Sequence, residues 1–271
     1  MSKLAIISGG GDLPLIVGKN LINKKYDILF LGIKDFVQNK LYRNYNYKEI
    51  TLTSLKKIVD CLLENRIDQI IMLGNINRPS AKDIQFDLDT LKFIGKYLLE
   101  SKGDNKLLSA ISDFFLKKGF PLFDWRLNCP ELFVNENHIT IFKPSKNALK
   151  NKDKGLKIFK IIGKADLSQT VILQNQMILG IEAAEGTDEL ISRCYKYKKN
   201  GDKGIVLKLS KYNQNNLLDI PTIGMQTLIN IKKYNYEGIF LEKNKCLLID
   251  KEKVINYCNN NKLFISTVLK N

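Results

Sequence analysis

The chain lacks several features on which common catalytic mechanisms depend. Its 271 residues include one histidine, His138, which excludes mechanisms that need more than one imidazole. Its five cysteines are scattered without a CxxC pair, which excludes the usual zinc patterns and fits reduced thiols. No apolar run reaches the ~20 residues that a membrane span needs. The N-terminal segment reaches Gly9 too soon for a signal peptide, so we expect a cytoplasmic protein.

The chain also has few acidic residues relative to basic ones. The chain has 43 Lys and Arg against 28 Asp and Glu, for a net charge of +15. Such a surface favours nucleic acid, anionic membranes or phosphorylated substrates, although a general drift toward lysine explains it equally well. The lysines are dispersed, and RNA-binding signatures with interleaved aromatic residues are absent. We therefore expect no nucleic acid partner.

Apolar runs and helical patterns alternate along the first third of the chain. This alternation predicts a parallel sheet with helices on both faces, as in Rossmann-like domains. Strands are predicted over residues 3–8, 26–32, 69–73 and 119–123. Helices are predicted over residues 13–21, 55–63, 88–99 and 107–116.

A lysine-rich stretch at residues 143–157 indicates a change of unit. We predict a Rossmann-like domain over 1–135, a linker over 136–150 and a C-terminal α/β domain over 151–271. Asn175 and Gln176 predict a two-residue hairpin turn between strands 170–173 and 177–183. A second hairpin is predicted from segments 238–241 and 246–249, and the other strands at 204–209 and 263–268. Helices are predicted over 155–162, 188–197, a segment ending at 233, and 251–259.

The run Gly9-Gly10-Gly11-Asp12-Leu13-Pro14 lies where a predicted strand gives way to a helix. Glycine amides and a helix N-terminus suit a phosphate group. The run is neither a P-loop nor GxGxxG, which disfavours a dinucleotide-dependent oxidoreductase. A tight turn without a ligand remains the alternative.

Four carboxylates, those of Glu182, Glu185, Asp188 and Glu189, fall within eight residues around Thr187. Such a group could hold a hard divalent cation such as Mg²⁺. The alternative is a helix N-terminus with Thr187 as the N-cap and the following acidic residues favoured by the helix dipole.

Three further positions are candidates for chemistry. Arg78, in the loop of Asn75 that follows a predicted central strand, could grip a phosphate. Asp219 lies in an extended apolar segment and could be a metal ligand, a base or simply the end of a loop. Lys208 could face a phosphate or be an ordinary exposed lysine.

Five segments, at residues 9–14, 74–79, 102–104, 181–188 and 219–224, occur in a familiar order and spacing. In these the chain resembles the UDP-2,3-diacylglucosamine diphosphatase family of lipid A biosynthesis, of the LpxI type. The resemblance runs from residue 3 to about 268. It implies an N-terminal Rossmann-like domain that holds UDP, a C-terminal α/β domain peculiar to the family, and a cleft between them for the substrate.

The resemblance also implies a reaction. It is the Mg²⁺-dependent hydrolysis of UDP-2,3-diacylglucosamine to UMP and 2,3-diacylglucosamine 1-phosphate, with water attacking the α-phosphorus. Asp219 matches the essential aspartate and, with Asp188, is expected to hold the metal. The expected catalytic residues are Asp219, Glu182, Glu185 and Asp188. The expected substrate-binding residues are Gly9, Gly10, Gly11, Asp12, Leu13, Asn75, Arg78, Asp104, Thr187, Lys208 and Thr222.

Three expectations concern partners and alternatives. We expect a homodimer that makes peripheral contact with an anionic inner membrane, where a diacylated substrate partitions. A nucleotide-sugar-binding or regulatory protein without catalysis is the main alternative function. It would make no UMP from the substrate and Mg²⁺.

Overall fold

The computed structural model describes residues 2–76, 90, 104–162, 168–211, 217–218 and 220–270. Most of the predicted helix 88–99 lies outside this part of the chain, as do Arg78 and Asp219. The chain divides into two compact units. Unit 1 comprises Met1–Pro130 with Asn215–Asp219, and unit 2 comprises Glu131–Gln214 with Ile220–Asn271.

Unit 1 is built from alternating strands and helices. Its strands are β1 (Lys3–Ser8), β2 (Asp27–Ile33), β3 (Tyr47–Ile50) and β4 (Gln69–Leu73). Its α-helices are α1 (Leu13–Asn23), α2 (Leu55–Glu64) and α3 (Asp104–Lys117). Short 3₁₀ helices occupy Asn39–Tyr42 and Trp125–Asn128.

The sheet of unit 1 has the order β3-β2-β1-β4, and all its pairs are parallel. This is the Rossmann-like arrangement predicted from the alternating pattern. The predicted strand 119–123 contributes only a single parallel bridge, from Leu122 to Ile70. β3 was not predicted, because Tyr47–Ile50 is short and largely polar. The mixed α/β fold class is confirmed.

Unit 2 has a second α/β architecture. Its strands are β5 (Thr170–Gln174), β6 (Met177–Ile181), β7 (Ile205–Lys208), β8 (Thr222–Ile223), β9 (Gly238–Glu242), β10 (Leu247–Leu248) and β11 (Phe264–Val268). Its α-helices are α4 (Lys146–Ile162), α5 (Thr187–Tyr195), α6 (Met225–Lys233) and α7 (Lys251–Asn260). A 3₁₀ turn occupies Pro130–Leu132, where the two units divide.

The main sheet of unit 2 has the order β11-β9-β7-β5-β6. The first three strands are parallel, whereas β5 runs antiparallel to both β7 and β6. The predicted turn at Asn175 and Gln176 is confirmed, and both residues take the positive φ that such tight turns require.

The second predicted hairpin is wrong. β9 pairs with β7 and β11, while β10 pairs in parallel with β8. Two short apolar segments separated by a polar loop look alike in sequence whether they pair with each other or with distant strands. Only the nonlocal partners distinguish the two cases.

Helix α4 begins at Lys146, well before the Gly155 start that the sequence predicts. The Ser145 hydroxyl accepts a bond from the Ala148 N–H (3.1 Å), which caps the helix, and Glu237 in turn accepts bonds from Ser145. The helix buries one face at Ala148, Asn151, Gly155 and Phe159. Of the lysine-rich stretch, Lys146, Lys150, Lys154 and Lys157 therefore lie on the exposed face of a helix.

Two apolar layers flank the main sheet of unit 2. One contains Val206, Ile239 and Leu190, and the other contains Leu207, Phe240 and Phe159. Alternate residues of β7 and β9 thus point to opposite faces, as a sheet buried on both sides requires. Within the described part of the chain, no helix is both long and apolar enough to cross a membrane.

Candidate active site

The glycine turn of unit 1 is fixed by the loop that follows β4. The Gly9 and Gly10 N–H groups donate to Leu73 and Asn75 carbonyls at 2.7 and 2.8 Å, and the Asn75 N–H returns a bond to Gly10. A Cβ at Gly9 would lie 2.8 Å from the Asn75 carbonyl oxygen, so the two backbones approach too closely for a side chain. Both amides therefore bind this loop, and these contacts do not support their predicted use for a phosphate.

The next three backbone N–H groups after Gly10 remain available as donors. The N–H groups of Gly11, Asp12 and Leu13 have no acceptor among the residues described, and they precede or open helix α1. Pro14 lies in the first turn of α1, and the Asp12 side chain makes no capping bond. These amides and the helix dipole form an open N-terminus that suits an anionic group.

In unit 2, the acidic segment connects β6 to helix α5. Gly186, with φ of 81° and ψ of 168°, is the N-cap, and Thr187 is the first helical residue. The interpretation of Thr187 as the cap is therefore wrong. Because the glycine makes the sharp turn, the Thr187 side chain is released from capping and points to other partners.

Thr187 and Lys208 are joined at the end of β7. Lys208 is 5% exposed, and its Nζ donates to the Thr187 Oγ1 at 2.6 Å. The Thr187 hydroxyl donates to Glu182 Oε1 at 2.9 Å, and the other oxygen of Glu182 lies 3.9 Å from the ammonium. Lys208 is thus a buried cation rather than an ordinary surface lysine, and it is held beside the acidic segment.

A fourth residue, Thr170, completes this group and was not singled out in the sequence. Thr170 lies directly opposite Lys208 in the β5–β7 pair. Its Oγ1 is 3.4 Å from Lys208 Nζ and 3.2 Å from Thr187 Oγ1. In sequence it reads as the β-branched start of an apolar strand, and no local signal reveals its partner. We call Thr170, Glu182, Thr187 and Lys208 the Lys208 cluster.

Glu185 has partners of a different kind. Its carboxylate accepts a 2.6 Å bond from the Arg193 guanidinium and a 3.1 Å bond from the Ala183 N–H. Burial alone would raise the pKa of Glu185, but the bonds from Arg193 and the backbone outweigh it and hold that pKa below its ordinary value. Both oxygens are occupied in bracing the turn, so these contacts do not support the predicted catalytic role.

The two halves of the chain match two family models. Residues 3–132 match the LpxI N-terminal domain, and residues 135–266 match the LpxI C-terminal domain. The chain belongs to the LpxI family. It is also similar to UDP-2,3-diacylglucosamine pyrophosphatase LpxI of Caulobacter vibrioides, at 26% identity over 98% of this chain and 97% of that protein.

The family's expected cation can be compared with the oxygens that are present. Glu182 Oε2 and Asp188 Oδ1 are buried without a hydrogen-bond partner among the described residues. No three acidic, cysteine or histidine side chains converge as a metal cluster within that part of the chain. Mg²⁺ is commonly held by one or two carboxylates together with waters and substrate phosphates. An unpartnered Asp188 oxygen fits such a ligand.

The remaining predicted site residues of this LpxI family member are placed as follows. The Thr222 hydroxyl donates to the Ile220 carbonyl at 2.9 Å, which stabilises the turn before β8. Asn75 is exposed beside the glycine turn. Asp104 opens helix α3, but its side chain is outside the described part, as are Arg78 and Asp219 in full.

Proposed function

We propose that this chain hydrolyses the pyrophosphate bond of UDP-2,3-diacylglucosamine in lipid A biosynthesis, giving UMP and 2,3-diacylglucosamine 1-phosphate. Support comes from the LpxI pyrophosphatase of C. vibrioides, which this chain matches along nearly its whole length. The single structural observation that carries the proposal is the buried Lys208 ammonium beside partly unpartnered carboxylates. Such a site suits an anionic substrate and a hydrolytic step.

In this proposal Lys208 neutralises charge on the pyrophosphate. Pyrophosphate cleavage depends on positioning and on stabilising charge in the transition state, so one well-placed cation contributes strongly. Glu182 fixes Thr187, and Thr187 fixes the ammonium. The charge is therefore held in place before the substrate arrives, and less reorganisation is required during the reaction.

Mg²⁺ is the proposed cofactor. Asp188, through its unpartnered oxygen, would hold it, and Asp219 is the second proposed ligand. When bound, the ion would polarise a phosphoryl oxygen and neutralise the charge of the leaving group. Glu182 and Asp188 stay in the proposed catalytic set, whereas Glu185 leaves it because Arg193 and the backbone occupy both its oxygens.

The proposed nucleotide contacts lie in unit 1. The N–H groups of Gly11, Asp12 and Leu13, at the start of helix α1, would bind a phosphate oxygen of the UDP group.

Water would attack the α-phosphorus, and the bond from that atom to the bridging oxygen would break. Hydrolysis in H₂¹⁸O identifies the atom attacked: label in UMP supports the α-phosphorus, and label in the sugar phosphate contradicts it.

The proposal is tested by incubating the purified protein with UDP-2,3-diacylglucosamine and measuring UMP. UMP should form with Mg²⁺, stop with EDTA and resume when Mg²⁺ is restored. Asp219→Ala should remain folded and lose nearly all turnover. Tight binding of the substrate without UMP would instead support a nucleotide-sugar-binding protein and overturn the hydrolase.

We also propose a homodimer. β6 is an edge strand of the main sheet, and its residues Met177 and Ile178 are 68% and 41% exposed. Edge strands with apolar side chains are natural sites of pairing with a second chain. Sedimentation should give twice the chain mass, and Met177→Lys should shift the equilibrium toward monomer. A concentration-independent monomer would contradict the proposal.

Finally, we propose a cytoplasmic protein with peripheral contact to an anionic membrane. Helix α4 exposes Lys146, Lys150, Lys154, Lys157 and Lys160, with Ile161 74% exposed at its end. Each lysine near an anionic surface contributes on the order of 1 kcal/mol, and salt weakens that attraction. Vesicles with anionic lipid should bind the protein at low salt. Binding that is insensitive to anionic lipid and to salt would contradict the proposal.

A further inference from the structure

Thr170 is held rigidly at the start of β5. Its backbone N–H donates to the Ser168 hydroxyl at 3.1 Å, and its carbonyl accepts bonds from Ser168 Oγ and the Glu182 N–H, both at 2.9 Å. The residue is fully buried and faces Lys208 across the β5–β7 pair. Its backbone is hydrogen-bonded through both its N–H and its carbonyl, and its buried hydroxyl contacts Thr187 and Lys208.

The hydrogen atoms of the Lys208 cluster can be assigned from the contacts. The Thr187 hydroxyl gives its one hydrogen to Glu182, so in the 3.2 Å contact between the two threonines Thr170 must be the donor. Thr187 then accepts from Thr170 and from Lys208, which uses both its lone pairs. Thr170 in turn accepts the longer bond from the ammonium.

The Thr170 hydroxyl therefore acts on two members of the cluster at once. It directs a hydrogen at Thr187, which leaves the Thr187 hydrogen pointing to Glu182. It also offers the ammonium its second oxygen partner. Without this hydroxyl, Lys208 would keep one short bond, to Thr187, and its Nζ could turn about that bond.

We infer that Thr170 is a positioning residue for Lys208 in the hydrolysis reaction, an inference that rests on the proposed function. Thr170 contacts Thr187 and the ammonium, so it acts on the substrate only through Lys208. Its loss should lower the rate of the chemical step rather than the affinity for the substrate.

The test compares Thr170→Val, which removes the hydroxyl at nearly constant shape, with Thr170→Ser, which keeps it. For Thr170→Val we expect kcat to fall roughly ten- to hundredfold, the value of a hydrogen bond to a charged group, with KM changed less than about threefold. Thr170→Ser should restore kcat to within about threefold of the wild type, because the hydroxyl is retained.

Thr140→Val is the matched control. Thr140 is also buried and donates to the Phe142 carbonyl while accepting from the Ile265 N–H. It should lose comparable stability yet keep the wild-type kcat per folded molecule. A wild-type kcat in Thr170→Val, or a Thr170→Ser variant as impaired as Thr170→Val, overturns the inference. A wild-type protein that makes no UMP overturns the proposed function and the inference with it.

Discussion

Unit 2 contains two polar groups of similar size that use their polar atoms differently. The first, which we call the Asp202 network, consists of Asn151, Gln174, Asn175 and Asp202. It ties the β5–β6 hairpin to the loop before β7. The second is the Lys208 cluster with the neighbouring Asp188. Both are polar groups of unit 2, but only the second leaves carboxylate oxygens without a hydrogen-bond partner among the described residues.

The Asp202 network is saturated. The Asp202 carboxylate accepts bonds from Asn151, the Asn175 N–H and the Gly204 N–H, and the Gln174 amide bonds to the backbone at Lys199 and Asp202. Polar groups satisfied in this way stabilise one conformation and leave little capacity for a ligand. The contacts of the network are therefore fully explained by folding.

In the Lys208 region, by contrast, some buried carboxylate oxygens lack a hydrogen-bond partner among the described residues. A buried oxygen without a partner costs free energy, so its persistence calls for an explanation such as a ligand or a catalytic role. Here the unpartnered atoms, Glu182 Oε2 and Asp188 Oδ1, accompany a buried ammonium. The contrast teaches that the number of carboxylates in a segment is a poor guide to function, and that their unmet hydrogen-bonding capacity is a better one.

Asp188→Asn should give the largest effect on turnover and so distinguish the Lys208 region from the Asp202 network most clearly. Turnover should fall roughly hundredfold, because Asp188 is a proposed ligand of Mg²⁺ and such a ligand supports several kcal/mol of transition-state stabilisation. The Mg²⁺ concentration for half-maximal rate should rise as well. The melting temperature should fall only slightly, since Asp188 Oδ1 has no hydrogen bond to lose among the described residues and only its favourable interaction with the helix dipole is lost. Metal titration of UMP release and thermal melts measure the two effects; a marked loss of stability at unchanged activity would reverse our assignment.

Asp202→Ala should show the opposite pattern. The variant loses several bonds to a charged acceptor, so the free energy of unfolding should fall by about 2 kcal/mol. Turnover per folded molecule should be unchanged. Urea denaturation and the UMP assay at a temperature where the variant is folded test both parts. Loss of turnover without loss of stability would break the distinction between the two regions.

The smallest effect is expected at Glu185, whose contacts, like those of the Asp202 network, we assign to folding. Its side chain and that of Arg193 are 22% and 41% exposed, so Glu185→Gln should cost less than about 1 kcal/mol at pH 7. Because the pKa of Glu185 is lowered in the folded state, its contribution is present above the unfolded pKa of about 4.3 and is lost as pH falls through the lower folded pKa. Urea denaturation at several pH values should show the two proteins converging in acid. A difference that grows in acid would contradict this assignment.

Much of the fold was predictable because it is encoded locally. β1 and β4 have the bounds that the sequence predicts, and the Asn175-Gln176 turn begins with asparagine, which tolerates positive φ. The errors come from nonlocal pairing. β10 pairs with β8 rather than β9, and a sequence pattern carries no information about which distant strand is the partner.

The candidate site was predictable only in part for the same reason. The sequence and the resemblance pointed to the acidic segment and to Lys208, and they named Asp188 as a metal ligand, but they placed Glu182 and Glu185 alike in the catalytic set. The structure distinguishes the carboxylates by their partners. Arg193, in the last turn of helix α5, binds Glu185, whereas Lys208 of strand β7 lies beside Glu182. Thr170 was missed altogether, because its importance lies in the β5–β7 register.

The central claim is that the Lys208 cluster carries the chemistry of unit 2. It is tested most directly by measuring Mg²⁺-dependent UMP release by Lys208→Met, which removes the charge but keeps a similar side-chain volume, beside the wild type under saturating substrate. We predict a fall in kcat of at least roughly hundredfold in a variant that remains folded at the assay temperature. A folded Lys208→Met protein that releases UMP at the wild-type rate would contradict the account.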